Sequence, residues 1–584
     1  MMHCTLIGDH SVLADFSKSP NPLSEIHGIS KLLFANKPEW AGEIIPGLES
    51  LIVQLKYSSD NPSVVRRRAI DELEKLGEKF LKQKRIQSEL STTHRIQVCY
   101  HPDVALDLMT IAKACKLTTE EVIRIHKDSL YTADILGFMP GFTYFSGLNP
   151  KLRLPRLSSP RPSVPKGSVA IAELQTAIYP RTTPGGWNII GRSPNTLFDI
   201  QKNPPGLFMA GDQMEIHEIS LDEFKQLDQN QPSSEILRAP KPDEGNASIE
   251  VLQAGTFSTI QDNPRENLSH WAVGPGGACD LDSLHLANAM VGNSPETAAI
   301  EMTSTGPTLL FHEACCVAWV GASCEGIVDG QRIPGNRPVW LAKGNTLKFS
   351  SFNLGFRVVL AIGGGLELPK ILGRAGSHIS ADIGPKRLEK GDVLLLSDVK
   401  APLSSPFLKS LYKSGLLPCF PKWHVRSPFH PANSVTHINC LAGPHISFLP
   451  EKDRELFWST IWTVSNQSNR MGVRLQSNFK LKKDLPHIPS QAITFGTVQF
   501  PPSQEPIVML AEHQTTGGYP RLAEVIRADL VKLAQLKPGN KIQLMPIDLE
   551  EADRINAEAL KLQDATMHSI QTMIQILEKR DGYK

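Results

Sequence analysis

Seven basic side chains are concentrated between Gly137 and Arg192, where Glu173 is the single acidic residue. They are Lys151, Arg153, Arg156, Arg161, Lys166, Arg181 and Arg192. Eight prolines and seven glycines interrupt the same segment, so we expect much of it to be loop. Arginine and lysine on fixed loops suit the oxygens of a carboxylate or phosphate. We call residues 137–192 the basic stretch; the alternative is a proline-rich surface loop whose charges face water.

Several residues of the basic stretch are candidates for anion binding. Arg156, Arg181 and Arg192 can each donate two parallel hydrogen bonds to an oxyanion. Lys166-Gly167-Ser168 offers an ammonium group, a backbone N–H and the Ser168 hydroxyl, although this pattern is also typical of a turn before a strand. Gln175 joins the set through the repeat described below.

His126 precedes the basic stretch, at the predicted end of a helix. A neutral imidazole accepts or donates a proton near pH 7, so His126 is a candidate catalytic residue. Lys166 of the basic stretch is the other candidate catalytic residue. The alternative for His126 is a structural histidine that the helix dipole favours at a C-terminus.

A second candidate anion site lies before a helix predicted at Pro520–Leu536. Free N–H groups at a helix N-terminus bind anions, whereas ordinary capping is the alternative interpretation. The residues proposed to bind substrate or phosphate there are Gln514, Thr515, Thr516, Gly517 and Gly518.

Two short passages of the chain resemble each other. Residues 172–181 read AELQTAIYPR and residues 511–521 read AEHQTTGGYPR, and each follows a Gly-hydroxyl-Val sequence. This repeat predicts two similar β-barrels in which Gln175 superposes on Gln514, and Tyr179-Pro180 on Tyr519-Pro520.

Composition excludes several classes of protein. A chain of 584 residues predicts three or four domains, and 61 basic against 60 acidic residues give no reason to expect a nucleic-acid partner. No apolar run approaches the ~20 residues of a membrane span, so we expect no membrane partner. Nine cysteines without a C-x-x-C pair favour a cytoplasmic location.

The pattern of apolar residues and breakers predicts a mainly β protein with α/β parts. We expect a small α/β domain over residues 1–95, a β-barrel over 96–224, a linker over 225–248, a second β region over 249–546 and a C-terminal helix over 547–584. No Walker A loop, His-Glu-x-x-His motif, Gly-x-Ser-x-Gly elbow or Ala-Met-Lys-Met biotin segment is present. We therefore predict no metal site and no biotin on this chain.

The motifs GFMPGF, VPKGSVAIA and YPRTTPGGWNIIGR resemble the allophanate-hydrolase-subunit-1 family, which includes the B subunit of 5-oxoprolinase and the Kip kinase inhibitor. Beyond residue 248, VLQAGTFSTIQD, NRMGVRL and HQTTGGYPRLAEVIRADL resemble the subunit-2 family, which includes the C subunit of 5-oxoprolinase. Together they resemble the C-terminal region of urea carboxylase. The resemblance implies cyclophilin-like β-barrels.

The same resemblance implies a function. A fusion of the B and C subunits is expected to cleave 5-oxoproline with ATP, and with Mg by analogy, by phosphorylating the amide oxygen beside a subunit-A-like partner. One alternative is the carboxyltransferase component of a urea-carboxylase-like biotin enzyme. Another is a non-enzymatic regulator of a histidine kinase, and self-association into a homo-oligomer stays open.

Several polar residues match positions of the subunit-2 motifs, but their spacing assigns them no role. They are Gln261, Asp262, Asn288, Glu301, Arg470, Arg474 and Gln499. The sequence departs from the subunit-2 pattern at Asn263–Asn267 and at Arg374–Pro385, where proline and glycine are exchanged in predicted loops.

Overall fold

The computed structural model describes residues 2–56, 61–82, 91–229, 247–397, 418–428 and 434–579. We call 2–229 the first half and 247–579 the second half. The predicted linker 225–248 begins inside a helix that ends at Gln229, and a strand begins at Ser248. The rest of that linker lies outside the described residues.

The helices of the described residues follow the apolar periodicity of the sequence. They are α1 (Pro22–Ala35), α2 (Pro62–Lys82), α3 (Leu108–Cys115), α4 (Thr119–Lys127), α5 (Leu221–Gln229), α6 (Leu281–Met290), α7 (Glu451–Ser459), α8 (Leu530–Ala534) and α9 (Leu549–Lys579). At the start of α4 the side chains of Thr118 and Glu121 each accept the other's backbone N–H, which supplies partners for two free donors. Within the described residues, no helix combines the length and apolarity needed to cross a bilayer.

The N-terminal α/β domain is an antiparallel sheet of order β1-β2-β4-β3, with β1 His3–Ile7, β2 Ser11–Asp15, β3 Ala41–Pro46 and β4 Ser50–Leu55. Helices α1 and α2 cover one face with an apolar core. Ile7, Ile45 and Ile52 on the other face pack against Ala492. This domain therefore packs on the second half, although it belongs to the first half of the sequence.

A seven-stranded barrel follows, of order β12-β9-β10-β7-β6-β13-β5, and a bridge between Cys99 and Arg192 joins its edges. The strands are β5 (Thr93–Val98), β6 (Tyr131–Leu136), β7 (Thr143–Ser146), β9 (Ser168–Ala172), β10 (Gln175–Ile178), β12 (Asn188–Arg192) and β13 (Gln213–Glu218). A small flap pairs β8 (Arg161–Val164) with β11 (Thr183–Gly185). We call this the first barrel.

Residues 248–395 form a sandwich of two sheets around an apolar core. The six-stranded sheet holds β14 (Ser248–Gln253), β17 (Thr308–Phe311), β19 (Glu325–Val328), β20 (Gln331–Pro334), β22 (Thr346–Phe349) and β24 (Val393–Leu395). The five-stranded sheet holds β15 (Phe257–Gln261), β16 (Ala299–Thr303), β18 (Cys315–Gly321), β21 (Pro338–Leu341) and β23 (Arg357–Ile362). Helix α6 and the C-terminal helix α9 cover the outer face of the five-stranded sheet.

A closed second barrel ends the chain, of order β25-β32-β29-β30-β27-β26-β33. Its strands are β25 (Val435–Ala442), β26 (Trp462–Val464), β27 (Gly472–Gln476), β29 (Thr497–Gln499), β30 (Ile507–Met509), β32 (Arg521–Val525) and β33 (Lys541–Pro546). A flap pairs β28 (Gln491–Ala492) with β31 (Thr516–Gly517). The mainly β fold with two barrels, predicted from the sequence, is confirmed.

The two barrels repeat one topology. In each, the first and last strands pair in parallel, and a β-bulge interrupts the pairing of the strands that carry Ile189 and Arg521. Gly167 and Gly496 precede equivalent strands and both have positive φ, at 80° and 89°. The Gly-hydroxyl-Val part of the repeat is therefore correct.

The predicted register of the rest of the repeat is wrong. Gln175 opens β10, whereas Gln514 follows β30 and precedes the flap. Tyr519 lies two residues before β32, and the strand register aligns it with Trp187 before β12, not with Tyr179. AELQT spans the turn from β9 to β10, whereas AEHQT lies between β30 and the flap strand β31, so the two passages are not equivalent.

The helix predicted at Pro520–Leu536 is also wrong over its first half. Residues Arg521–Val525 form β32, which pairs with β25 on one side and β29 on the other. Only Leu530–Ala534 is α-helical. Pairing on both edges overrides the helical spacing of the apolar residues.

Candidate functional site at the junction of the two halves

The cations of the basic stretch do not form one cluster. Three of them have carboxylate partners: Arg153 with Glu173 at 3.2 Å, Arg161 with Asp107 at 2.5 Å, and Arg192 with Asp228 at 3.6 Å. Arg192 also donates from Nε to the Lys166 carbonyl at 2.8 Å and lies over the ring of Phe224. Arg192 therefore links β12 to α5, and this structural role explains its position without a bound ligand.

The other candidates of the first barrel are spread over its surface and interior. Arg156 is exposed, with its guanidinium carbon 5.8 Å from the ring centre of Trp187. Lys166 is half-buried, and its backbone N–H donates to Thr182 Oγ1 at 3.2 Å. Ser168 is buried at the start of β9, while Gln175 is half-buried opposite Ala172.

His126 lies inside the first barrel, with none of its surface exposed. Its Nδ1 is 2.7 Å from the hydroxyl of Tyr100 and its Nε2 is 3.3 Å from the hydroxyl of Thr176. Burial lowers the pKa of His126 to about 3, so the ring is neutral at pH 7. The catalytic interpretation of His126 is therefore wrong: it is a core residue that a ligand does not reach.

The glycine-rich segment of the second barrel is not a helix N-terminus. Thr516 and Gly517 form β31, and Pro520 leads into β32. Without a helix there is no set of free N–H groups at its start, so the helix-terminal anion cradle predicted at Thr515–Gly518 is wrong. In this segment the Gln514 carbonyl accepts a hydrogen bond from His513 Nδ1, and the two atoms are 2.7 Å apart.

The two halves meet along these same motif segments. Gly141 of the GFMPGF motif donates its N–H to the Trp271 carbonyl at 3.0 Å. Arg181 donates to the Ser380 carbonyl. Gly137 lies against Thr516 so closely that a Cβ there would overlap the hydroxyl. Residues that the sequence places far apart therefore share one junction.

Aromatic side chains of the first half surround this contact. A Cβ on Gly137 would lie 3.7 Å from Tyr144 Cε2, and the rings of Tyr144 and Trp187 are 5.8 Å apart. Phe138 is 43% exposed and has a φ of 67°, a strained conformation for a bulky residue. Arg156 on Trp187 places a cation at the same rim.

Two polar groups of the second half lie near the flap strand β31 without hydrogen-bond partners among the described residues. They are Gln499 Nε2 and Thr515 Oγ1, in side chains that are each 1% exposed. A Cβ on Gly517 would lie 2.6 Å from Gln499 Nε2 and 3.1 Å from Gln514 Nε2. Gly517 therefore lies against two amide groups and follows Thr516, which meets Gly137 of the first half.

A buried ion cluster connects this junction to the sandwich. Arg470 contacts Glu301, and its Nε lies 2.7 Å from Glu512 Oε1. Burial raises the pKa of the Glu512 carboxyl, but Arg470 and His378 outweigh burial and lower it to about 2. The other Glu512 oxygen accepts the Ser380 N–H at 2.9 Å. Ser380 thus contacts Arg181 of the first half and Glu512 of the second.

Sequence reasoning selected Glu301, Arg470 and Gln499 as motif positions without a role, and it missed His378 and Arg265. The one signal for Arg265 and His378 was that the segments containing them, Asn263–Asn267 and Arg374–Pro385, depart from the subunit-2 pattern. Those segments pack together, because Arg265 Nη2 donates to the Gly376 carbonyl at 2.6 Å.

The described residues offer little that would hold a metal or a triphosphate. Among them, no group of three or more His, Cys, Asp and Glu side chains is arranged to bind a metal ion. With Thr516 and Gly517 in a flap strand, the segment Thr515–Gly518 does not form the helix-terminal anion cradle expected from the sequence.

Comparisons with known proteins identify the two halves. Residues 2–208 match the model for carboxyltransferase domain, subdomain C and D, and residues 271–546 match subdomain A and B. The C subunit of 5-oxoprolinase from Escherichia coli (strain K12) is 30% identical over 307 residues, 52% of this chain and 93% of that protein. The B subunit of 5-oxoprolinase from Bacillus subtilis (strain 168) is 36% identical over 232 residues, 37% of this chain and 93% of that protein.

Two further relatives extend the comparison. Urea amidolyase of Saccharomyces cerevisiae is 33% identical over 339 residues, 55% of this chain but only 18% of that protein. A crystal structure of TTHA0988 is 26% identical with a TM-score of 0.75, and the match covers 93% of this chain and all of that one. The chain therefore belongs to the carboxyltransferase-domain family, and it joins a half similar to the B subunit of 5-oxoprolinase to a half similar to the C subunit of that enzyme.

Proposed function

We propose that this chain is a fused B/C component of an enzyme that cleaves 5-oxoproline, acting with a separate subunit-A-like protein. One observation carries the proposal: a single chain matches 93% of a 5-oxoprolinase C subunit and 93% of a B subunit. The contacts between Gly137 and Thr516 and between Arg181 and Ser380 support it, because they join the half similar to the B subunit to the half similar to the C subunit within one chain.

The junction suits the chemistry of a lactam. A lactam has a carbonyl that accepts a hydrogen bond and an N–H that donates one. Gln499 Nε2 can donate to the carbonyl, and Thr515 Oγ1 can accept from the N–H. Phe138 and Tyr144 can cover the edge of the site and exclude water, while Arg156 and Arg181 give its rim positive charge.

ATP, Mg and the partner remain predictions from the family resemblance. Among the described residues no group of His, Cys, Asp and Glu side chains is arranged to hold a metal ion, and we assign no step of the reaction to ATP on this chain. Lys166, Ser168, Gln175, Gln514 and Gly518 remain candidate contacts. The cytoplasmic location, the absence of biotin and the oligomeric state also remain predictions.

The test is ATP hydrolysis by the purified chain with a subunit-A-like protein, measured with and without 5-oxoproline. We expect hydrolysis that depends on 5-oxoproline and releases glutamate. Arg181→Gln should lower this turnover about tenfold, since a charge-assisted hydrogen bond contributes roughly 1.5–3 kcal/mol. Arg153→Gln is the matched control, because Arg153 pairs with exposed Glu173 on the same stretch. A folded pair of proteins without 5-oxoproline-dependent turnover would rule out the proposal.

A second candidate function is carboxyl transfer from a biotin carrier on another chain. The family models and the similarity to urea amidolyase favour it. Labelled carboxyl transfer from a carboxybiotin carrier to urea, in the absence of 5-oxoproline turnover, would support this function over the first.

A further inference from the structure

Two buried hydrogen-bond donors converge on the glycine turn Gly274–Gly277 in the second half. Arg265 is 2% exposed and His378 is 3% exposed. Arg265 Nη1 and His378 Nε2 have no hydrogen-bond partner among the described residues. A buried donor without a partner costs free energy, so an occupant that accepts hydrogen bonds is expected beside them.

The hydrogen bonds of the His378 ring decide which nitrogen carries the proton. Its Nδ1 accepts the Ala381 N–H at 3.2 Å, so the neutral ring carries its proton on Nε2. Burial lowers the pKa of His378 to about 4, which keeps the ring neutral at pH 7. His378 Nε2 is therefore a donor that faces the turn.

The absence of side chains on the glycines lets the turn approach both donors closely. A Cβ on Gly276 would lie 3.3 Å from Arg265 Nη1 and 3.1 Å from His378 Cδ2. A Cβ on Gly274 would lie 2.8 Å from His378 Nε2. The turn is fixed from both sides, by Gly276 N–H to the Ala511 carbonyl at 3.0 Å and by Arg265 N–H to the Pro275 carbonyl at 2.7 Å.

We propose that Arg265 and His378 form a subsite for an oxyanion, a carboxylate or a phosphate oxygen, at the Gly274–Gly277 turn. Burial lowers the pKa of Arg265 to about 10, so the guanidinium keeps its charge at pH 7. The nearby carboxylate of Asp262 accepts the Ala375 N–H at 2.8 Å through Oδ2, while its Oδ1 has no hydrogen-bond partner among the described residues. A positive charge and a neutral N–H in a site of low dielectric constant favour one small anion.

The subsite adjoins the junction described above. Glu512 and His513 connect the two, since His378 Nδ1 is 3.8 Å from Glu512 Oε2 and the His513 carbonyl lies against Gly274. The identity of the anion rests on the proposed function, under which it is the carboxylate of 5-oxoproline. The binding of an anion does not depend on that function.

Calorimetric titration of the full chain tests the subsite with three probes: 5-oxoproline, the uncharged 2-pyrrolidinone and inorganic phosphate. We expect 5-oxoproline to bind at least tenfold more tightly than 2-pyrrolidinone. Arg265→Gln should weaken its binding at least tenfold. Arg387→Gln is the matched control, since Arg387 pairs with Glu389 at 3.7 Å on the exposed surface, and it should change affinity less than twofold.

A second variant tests the subsite if Arg265→Gln does not fold. His378→Phe keeps the ring but removes the Nε2 donor, and it should weaken the same binding. Phosphate binding that Arg265→Gln abolishes, in a chain that does not bind 5-oxoproline, would support the subsite and contradict the proposed function. Equal anion affinities in the wild type and both variants, or no anion binding by the folded wild type, would overturn the subsite and leave only buried water there.

Discussion

The two barrels share one topology but differ on one face. In the first barrel, Ala170 and Ile189 lie on the outer face of β9 and β12, in an apolar cluster with Trp187. Gln499 and Arg521 pair at the equivalent position of the second barrel, and both are buried. The same pairing thus carries an apolar surface in one barrel and a polar surface in the other.

This difference assigns the two halves different roles. The apolar face of the first barrel packs against residues of its own half. The motif loops of the same barrel contact the second half. The polar face of the second barrel carries Gln499 Nε2 and Thr515 Oγ1 without partners among the described residues. Buried polar groups cost stability unless they are paired, which makes the second barrel the place to expect a ligand.

The largest expected effect is on the buried ion cluster of the second half. Arg470→Met leaves Glu301 and Glu512 buried without their cation, and should lower the free energy of unfolding by about 3–5 kcal/mol. Urea denaturation measures it. Arg153→Met in the first barrel removes an exposed pair and should cost less than about 1 kcal/mol. Equal losses in the two variants would contradict this contrast.

Exchanging the residues of the two faces tests the comparison directly. Ala170→Gln places an amide in an apolar cluster, and should destabilise the chain by about 1–3 kcal/mol in thermal unfolding. Gln499→Ala should cost less than about 1 kcal/mol, because its amide nitrogen loses no hydrogen bond, yet it should lower lactam turnover. Undiminished turnover in Gln499→Ala would remove Gln499 from the site.

Acid should destabilise the first barrel through His126. The unfolded chain takes up this proton below pH 6.5, whereas burial lowers the pKa in the folded chain to about 3. Stability is therefore lost as pH falls below 6.5, by about 1.4 kcal/mol per pH unit for this group. Unfolding of His126→Leu between pH 7 and 5 should show about 2 kcal/mol less loss than the wild type. His101→Leu, at an exposed histidine of the same barrel domain, is the control substitution.

The smallest effect concerns the strained residue at the rim of the junction. Phe138→Gly removes a bulky side chain from a φ of 67° and should raise stability by about 1 kcal/mol in thermal unfolding. Turnover should fall because the ring no longer covers the site. A variant that is more stable and equally active would show that Phe138 is not part of the site.

Local pattern in the sequence was enough for much of the fold. Helix α2 at Pro62–Lys82 follows from its local sequence, because its apolar positions recur at helical spacing behind a first-turn proline. The Gly-hydroxyl-Val repeat located equivalent strands of two barrels, since a glycine with positive φ is needed at both turns. The long motifs also identified the family of both halves.

Only the tertiary structure decided the site. Arg470 and Glu301 are 169 residues apart, and Arg181 meets Ser380 across 199 residues, so no periodicity in the sequence relates them. Burial of His126 and the strand at Arg521–Val525 likewise depend on neighbours from distant segments. Side-chain spacing reports local geometry, whereas burial, register and electrostatic pairing arise when the folded chain brings remote segments together.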